Sequence, residues 1–295
     1  MANRDWGFCD LSVSKNFGLD KLHFLEFAGY NTVALNTHIV DASDEPKRKK
    51  KKGEVREKKM DFVPPPVDLP EDVLNSSKLN ILQRVTIEFS DSSIAHKLNQ
   101  SLNLKKYDII AVIPKTFQAF QYACGSMDID LITFEPESKF PFKISRKLYS
   151  QAVERGIFFE IMYSPAIRDS TSRKNIISAA QIYYTIGKSR NIVFSSGAEN
   201  DMQIRDIHDV INFGFILGIN ANNSLDCVRS NTRKLILKAE ARRCGKHYMR
   251  IDKDDNDTWH TNKAATDTNN DEANVNPNDI ENKTTLVYSL FYLIL

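Results

Sequence analysis

Short apolar runs, hydrophobic on both faces, alternate along this chain with stretches in which apolar residues recur every three or four positions. The runs predict strands at 6–11, 31–36, 80–89, 107–113, 129–134, 157–162 and 191–195, and the 3.6-residue periodicity predicts helices at 19–29, 91–100, 116–124, 145–155, 169–188, 206–217 and 223–243. Asp91 and Asp169 are expected as N-caps, and Gly156 lies just past a predicted helix C-terminus. Strands that are apolar on both faces and each followed by a helix argue for a parallel sheet covered by helices, an α/β fold. About seven such units over some 245 residues fit a TIM-like barrel. The alternative is a doubly wound nucleotide-binding sheet, but no G-x-G-x-x-G and no G-x-x-x-x-G-K-S/T follows any strand. No eighth strand is legible between Asn200 and Asn223, so an irregular closing edge is expected.

Two segments break the rhythm. Residues 41–79 hold the run Lys47, Arg48, Lys49, Lys50, Lys51, Lys52 and then Pro64-Pro65-Pro66, a composition expected to form an exposed insertion on a domain spanning 1–245. The basic run is a candidate nuclear-import signal or RNA-tethering arm, or simply a solvated loop. Residues 246–295 are expected to be a disordered acidic tail ending in TTLVYSLFYLIL, twelve residues that fall short of the roughly 18–20 needed to span a bilayer.

Charge sharpens this division. The chain has a formal net charge of +2, yet residues 46–59 carry +7 and residues 250–295 carry −5. The body is therefore close to neutral, and bulk charge gives no argument for nucleic-acid binding. Cys9, Cys124, Cys227 and Cys244 lie far apart with no C-x-x-C spacing, which suggests neither a zinc site nor a disulfide framework and fits a reducing compartment. The polar N-terminus lacks an apolar signal core, so Asn75-Ser76-Ser77 is not expected to be glycosylated.

In a barrel the working residues sit at the C-terminal ends of strands, which here offer Asp10, Asn36, His38, Lys115, Glu135, Glu160 and Glu199. Asp10, His38, Glu160 and Glu199 are the set a metal-dependent phosphoesterase would use, but no H-x-H or H-E-x-x-H occurs, and acids that cap loops or pair with arginines explain them equally well. Ser195-Ser196-Gly197 lacks the G-x-S-x-G elbow, His208 lies on a helix, and Cys9 and Cys124 read as core packing. No cofactor is expected.

The cationic clusters say more. Arg168, Arg173 and Lys174 gather at the start of one predicted helix, where free amides also favour an anion. Lys188 and Arg190 close its far end. Lys234, Lys238 and Arg242 fall at i, i+4 and i+8 of the last helix, with Arg229 and Arg233 a turn earlier, giving a basic stripe that is either a solvated face or an RNA-backbone contact.

Taken in order, several segments resemble one family, the barrel-forming protein subunit shared by ribonuclease P and ribonuclease MRP, a relative of the PHP phosphoesterases. They are Asp10-Leu11, Val33-Ala34-Leu35-Asn36, Tyr107-Asp108-Ile109-Ile110-Ala111-Val112 with Pro114-Lys115-Thr116, and Asp128-Ile129-Asp130-Leu131. After these come Tyr163-Ser164-Pro165-Ala166-Ile167-Arg168-Asp169-Ser170, Ser195-Ser196 with Ala198-Glu199, Ile204-Arg205, Asp209-Val210 and Ser230-Asn231 with Arg233. The resemblance covers about residues 5–243. It implies a PHP-related barrel in the nucleus and nucleolus that helps process precursor tRNA 5′ leaders and precursor rRNA. In that setting the particle's RNA cleaves, and the protein scaffolds it beside a small ferredoxin-like protein subunit. Where PHP enzymes begin with an H-x-H metal pair, this chain reads Cys9-Asp10-Leu11-Ser12. On this reading Lys115, Arg168, Arg173, Lys174, Arg205, Arg233, Lys234 and Lys238 contact RNA or a protein partner, with Arg205 and Arg233 equally able to anchor loops through Glu199 or Asp209. A protein-interaction module that never touches RNA is the other open reading.

Overall fold

The computed structural model describes residues 6–40, 61–71 and 77–245. By its internal contacts the chain divides into two units, Met1–Met249 and Arg250–Leu295. The run Lys47 to Lys52 and the acidic, apolar-ended tail lie outside the described residues.

Seven parallel strands follow one another in sheet order as they do in sequence: β1 (Cys9–Ser14), β2 (Thr32–Val40), β3 (Asn80–Phe89), β4 (Ile109–Pro114), β5 (Leu131–Ile132), β6 (Phe158–Met162) and β7 (Ile192–Ser195). The ring closes without an eighth strand. Just past β7 the chain pairs with β1, with Ser14 N–H donating to the Ala198 carbonyl and Gly197 N–H to the Ser12 carbonyl, both at 2.8 Å. Gly197 adopts φ +63°, and a Cβ there would meet the Met162 sulfur at 2.9 Å, so the seam requires glycine. The stretch searched for an eighth strand forms a helix, α7 (Ile207–Ile216), instead.

Alternation along the strands sorts side chains into two cores, as parallel strands buried on both faces require. Cys9, Leu11, Ala34, Ile109, Ala111, Leu131, Phe158 and Val193 form one buried cluster together with Trp6 and with Leu235, Ile236 and Ala239 of the last helix, α9 (Ser230–Cys244). That helix therefore plugs the end of the barrel where the strands begin. Intervening residues such as Val33, Leu35, Val85, Val112, Phe159 and Phe194 face outward into the second cluster, against the helices. Trp6 packs into the plugged end and Phe8 against the outer cluster, both ahead of β1, which starts at Cys9 instead of residue 6.

Among the described residues the α-helices are α1 (Leu22–Phe27), α2 (Ile94–Gln100), α3 (Phe117–Gly125), α4 (Arg146–Glu154), α5 (Ser164–Arg168), α6 (Ser170–Gly187), α7, α8 (Ala221–Val228) and α9. Asp169 caps α6 by accepting from Ser172 N–H at 2.8 Å, as expected. Asp91 does not cap α2, which begins after Ser93; the Asp91 backbone carbonyl, not its side chain, accepts the Ile94 N–H. The single helix expected at 223–243 is two, broken at Arg229 (φ −126°, ψ −73°) so that α8 can lie outside the sheet while α9 turns beneath it. The short α5 has too few residues to show a period.

The proline-rich part of the insertion keeps Pro64 and Pro65 exposed, as the composition suggests, but is fastened to the barrel. Val63 is fully buried, the Pro64 carbonyl accepts from Tyr107 Oη, the Val63 carbonyl accepts from Asn103 Nδ2, and Asp61 Oδ2 accepts the Leu102 and Asn103 N–H groups. Prolines hold a strap extended at little entropic cost, and its free carbonyls find donors in the barrel body.

The basic stripe of α9 is likewise corrected in part. Lys238 donates its ammonium to the Ile129 carbonyl at 2.7 Å, and Arg242 grips the fully buried Asp130, with Nη2 2.9 Å from Oδ2, and the Asp108 carbonyl. Arg243 pairs with Asp108. These cations clamp the plug to the strand starts, leaving Lys234 exposed. Burial, only partly offset by Asp130 and Asp128, lowers the Lys238 ammonium to about 8. Below that pH both folded and unfolded chains carry the proton. Between about 8 and the unfolded value near 10.4 the unfolded chain binds more protons, so stability must rise with pH. Urea unfolding at pH 7.5 and pH 10 is expected to show the wild type gaining ~2–3 kcal/mol relative to Lys238→Met, at about 1.4 kcal/mol for each pH unit between the folded and unfolded values. Parallel pH profiles for the two proteins would rule the buried ammonium out.

Candidate functional site

Where the strands end, their inward-facing side chains surround a cavity of about 270 Å³. A polar layer forms its floor, directly above the apolar interior. Arg84 of β3, 1% exposed, places Nη1 2.5 Å and Nη2 2.6 Å from the two carboxylate oxygens of Glu160 on β6, itself 0% exposed. Arg84 also donates to the Leu11 carbonyl and to Thr86 Oγ1, Thr86 donates to Asn36, and Ser195 donates to Glu160 at 2.6 Å. Burial pushes the Glu160 carboxyl up, but the charge and hydrogen bonds of Arg84, with those of Ser195, outweigh it and hold it below its ordinary value.

The next layer is the rim. Lys115 Nζ lies 2.7 Å from Glu135 and 3.0 Å from Glu88, and the other Glu88 oxygen lies 3.6 Å from His38 Nε2. Desolvation opposes the Lys115 charge, yet the hydrogen bonds and charges of both glutamates raise it above its ordinary value, and Lys115 in turn lowers Glu135. His38, half-buried, is lowered by desolvation against the pull of Glu88. Across the rim Arg168 Nη1 pairs with Glu199 at 3.2 Å.

The structure thus disperses the four acids and bases of a phosphoesterase reading. Asp10 is the second residue of β1, not its end. It accepts Ser12 N–H and Ser196 N–H at the closing seam and does not line the cavity, and its burial raises its carboxyl. Glu160 is sealed by Arg84, the exposed Glu199 pairs with Arg168, and His38 faces Glu88. Among the described residues no group of three or more His, Cys, Asp or Glu side chains is arranged to hold a metal ion. The metal that a PHP-related barrel implies does not fit this donor set.

The proposed contact residues separate into two kinds. Lys115 and Lys238 are spent on their own barrel. Arg205 pairs with neither Glu199 nor Asp209; its Nη1 donates to the Met202 and Ile204 carbonyls. Arg233 is half-buried, with a buried Nε that makes no hydrogen bond among the described residues. Arg168, Arg173 and Lys174 come together, exposed, at the start of α6, where Arg173 uses only its Nε, on the Ala166 carbonyl. His208 is exposed in the first turn of α7, and Cys9 and Cys124 are buried, the Cys124 thiol pushed up to about 12 by desolvation.

Arg84 was not among the sequence candidates, although a signal existed. In the second half of β3, Arg84, Thr86 and Glu88 alternate with Val85, Ile87 and Phe89, which puts the polar residues there on the face toward the barrel interior.

Fold and site together define a TIM-like α/β barrel whose mouth is held by ion pairs among its own side chains. The chain belongs to the RNase P subunit p30 family, whose sequence profile matches residues 7–244. It is 36% identical over 241 residues to ribonuclease P protein subunit p30 of Mus musculus, covering 80% of this chain and 87% of the relative. It is 28% identical over 157 residues to ribonuclease P/MRP protein subunit RPP1 of Saccharomyces cerevisiae, covering 52% and 53%. A chain in the cryo-EM structure of archaeal ribonuclease P with mature tRNA superposes with a TM-score of 0.57 at 14% identity, covering 84% of this chain and 99% of that one, a likeness of fold.

Removing one partner of a buried ion pair leaves an uncompensated charge, whereas removing both need not. Arg84→Met is therefore expected to lose ~3–5 kcal/mol in urea unfolding, and Arg84→Met with Glu160→Leu to recover most of it. A double variant as unstable as the single would place the loss in packing instead.

Proposed function

We propose that this chain is a non-catalytic protein subunit of ribonuclease P and of ribonuclease MRP. In this role it scaffolds the RNA that cleaves precursor tRNA 5′ leaders and takes part in rRNA processing, in the nucleus and nucleolus. The observation that carries the proposal is the family match over 7–244. The geometry supports it, because Glu88 and Glu135 face Lys115, Glu160 faces Arg84 and Glu199 faces Arg168, an arrangement that disfavours a metal-dependent phosphoesterase. The basic run Lys47 to Lys52 is the proposed import signal.

Among the exposed cations, RNA contact is assigned to Arg173 and Lys174 at the start of α6 together with the neighbouring Arg168, which also pairs with Glu199, and to Lys234 on α9 as a weaker candidate. The first amides of α6 are already capped by the Asp169 carboxylate, so the case for a phosphate here rests on the side-chain cations alone. A protein subunit of the particle, expected to be small and ferredoxin-like, is assigned to the neighbouring face. There the end of α1 meets the start of α7, the Ala28 carbonyl accepting Ile207 N–H, and α1 exposes Phe24 and Phe27 while α7 exposes Phe215 and Ile216.

Every phosphate that the protein no longer neutralises should lower the slope of log affinity against log salt by roughly 0.7–0.9. The combined Arg168→Ala, Arg173→Ala, Lys174→Ala protein is expected to bind the particle RNA more weakly and with a slope smaller by about two. Unchanged affinity and slope would make the cluster structural. Crosslinking in cells followed by sequencing of the attached RNA tests the wider proposal; recovery of protein partners without RNA would favour a pure protein-interaction module.

A further inference from the structure

The rim of the barrel poses an electrostatic question that membership of the family does not answer. Glu88 and Glu135 converge on one point from the ends of β3 and β5, and His38 at the end of β2 approaches Glu88 from the other side. Two carboxylates and an imidazole are donors that ordinarily attract Zn²⁺ or Mn²⁺. What lies between them is the Lys115 ammonium, brought there by the turn that leaves β4 at Pro114. Its contacts of 2.7 and 3.0 Å are hydrogen-bond lengths, so the ammonium itself satisfies one oxygen of each glutamate. One layer below, the Arg84 guanidinium meets Glu160 in the same way.

We propose that Lys115 is a resident cation, standing between Glu88 and Glu135 where a divalent ion would otherwise sit. With Arg84 beneath it, it keeps the barrel mouth from taking up metal. The covalently held charge does two things a metal would do: it neutralises the converging carboxylates and ties the ends of β3, β4 and β5 together. Unlike a metal it cannot exchange, and it brings no open coordination position for water. The rim is thereby protected from scavenging a divalent ion from solution, whatever the chain assembles with.

Removing the charge should reverse the exclusion. Lys115 is partly exposed at the edge of the fold, so its truncation does not open the core. The experiment titrates the full chain with Mn²⁺, followed by electron paramagnetic resonance, and with Zn²⁺, followed by calorimetry. Circular dichroism verifies the fold of each variant. The wild type is expected to show no saturable site at millimolar metal. Lys115→Ala is expected to gain one equivalent, bound at least about tenfold more tightly than by the wild type, and the gain should vanish when Glu88→Gln is added. Lys115→Gln, which keeps the side-chain bulk without the charge, serves if the alanine variant is unstable, and should gain the same site. Two results would overturn the proposal: a wild-type protein that binds one equivalent and loses it on Glu88→Gln, or folded Lys115 variants that bind metal no better than the wild type. Neither depends on RNA, so failure here leaves the proposed subunit role intact, and failure to find RNA leaves this proposal intact.

Discussion

Inside the barrel, the Arg84 guanidinium spans both oxygens of Glu160, and the other interior polar groups are arranged around that pair. Two charges taken fully out of water are costly unless the geometry is good and the remaining donors and acceptors are satisfied. Both conditions are met: the pair is bidentate, the Leu11 carbonyl and Thr86 take further guanidinium protons, and Ser195 donates to the carboxylate. Because β3 and β6 are separated by two strands in the ring, the pair braces the barrel across its interior. It also marks the level at which the core changes from apolar side chains to polar ones.

The two ends of the barrel follow from this brace in opposite ways. At the plugged end the packing is apolar, and cations enter only as clamps: Arg242 on Asp130, Arg243 on Asp108 and Lys238 on the Ile129 carbonyl. At the mouth the layer above Arg84 holds more carboxylates, and the fold answers Glu88 and Glu135 with Lys115 and Glu199 with Arg168. Exposed cations remain at several places, Lys105, Lys106, Lys143 and Lys147 among them, and at the start of α6 Arg173 and Lys174 stand beside the Arg168–Glu199 pair.

How far the sequence could be read depended on the range of each interaction. All seven strands and the order of the helices were legible, because period-two and period-3.6 patterns reflect burial of neighbouring residues on one element. The Asp169 cap was legible for the same reason, since its partner is three residues away. The break at Arg229 was not, because both halves continue one helical period and only docking of α9 under the barrel separates them. Nor was the Pro64 strap, whose composition is that of a loop and whose acceptors meet donors some forty residues distant.

By itself, then, the sequence determined a parallel α/β barrel, a missing H-x-H pair and an outward cationic cluster at one helix start. Tertiary structure alone decided which charges are spent. Arg84 meets Glu160 across 76 positions, Arg242 meets Asp130 across 112, and Gly197 meets Ser12 to close the ring with seven strands. No local pattern encodes such pairings. A lysine on a helix face has the same sequence signature whether it points to solvent, as Lys234 does, or donates to a buried carbonyl, as Lys238 does; the difference lies in what the fold has placed opposite it.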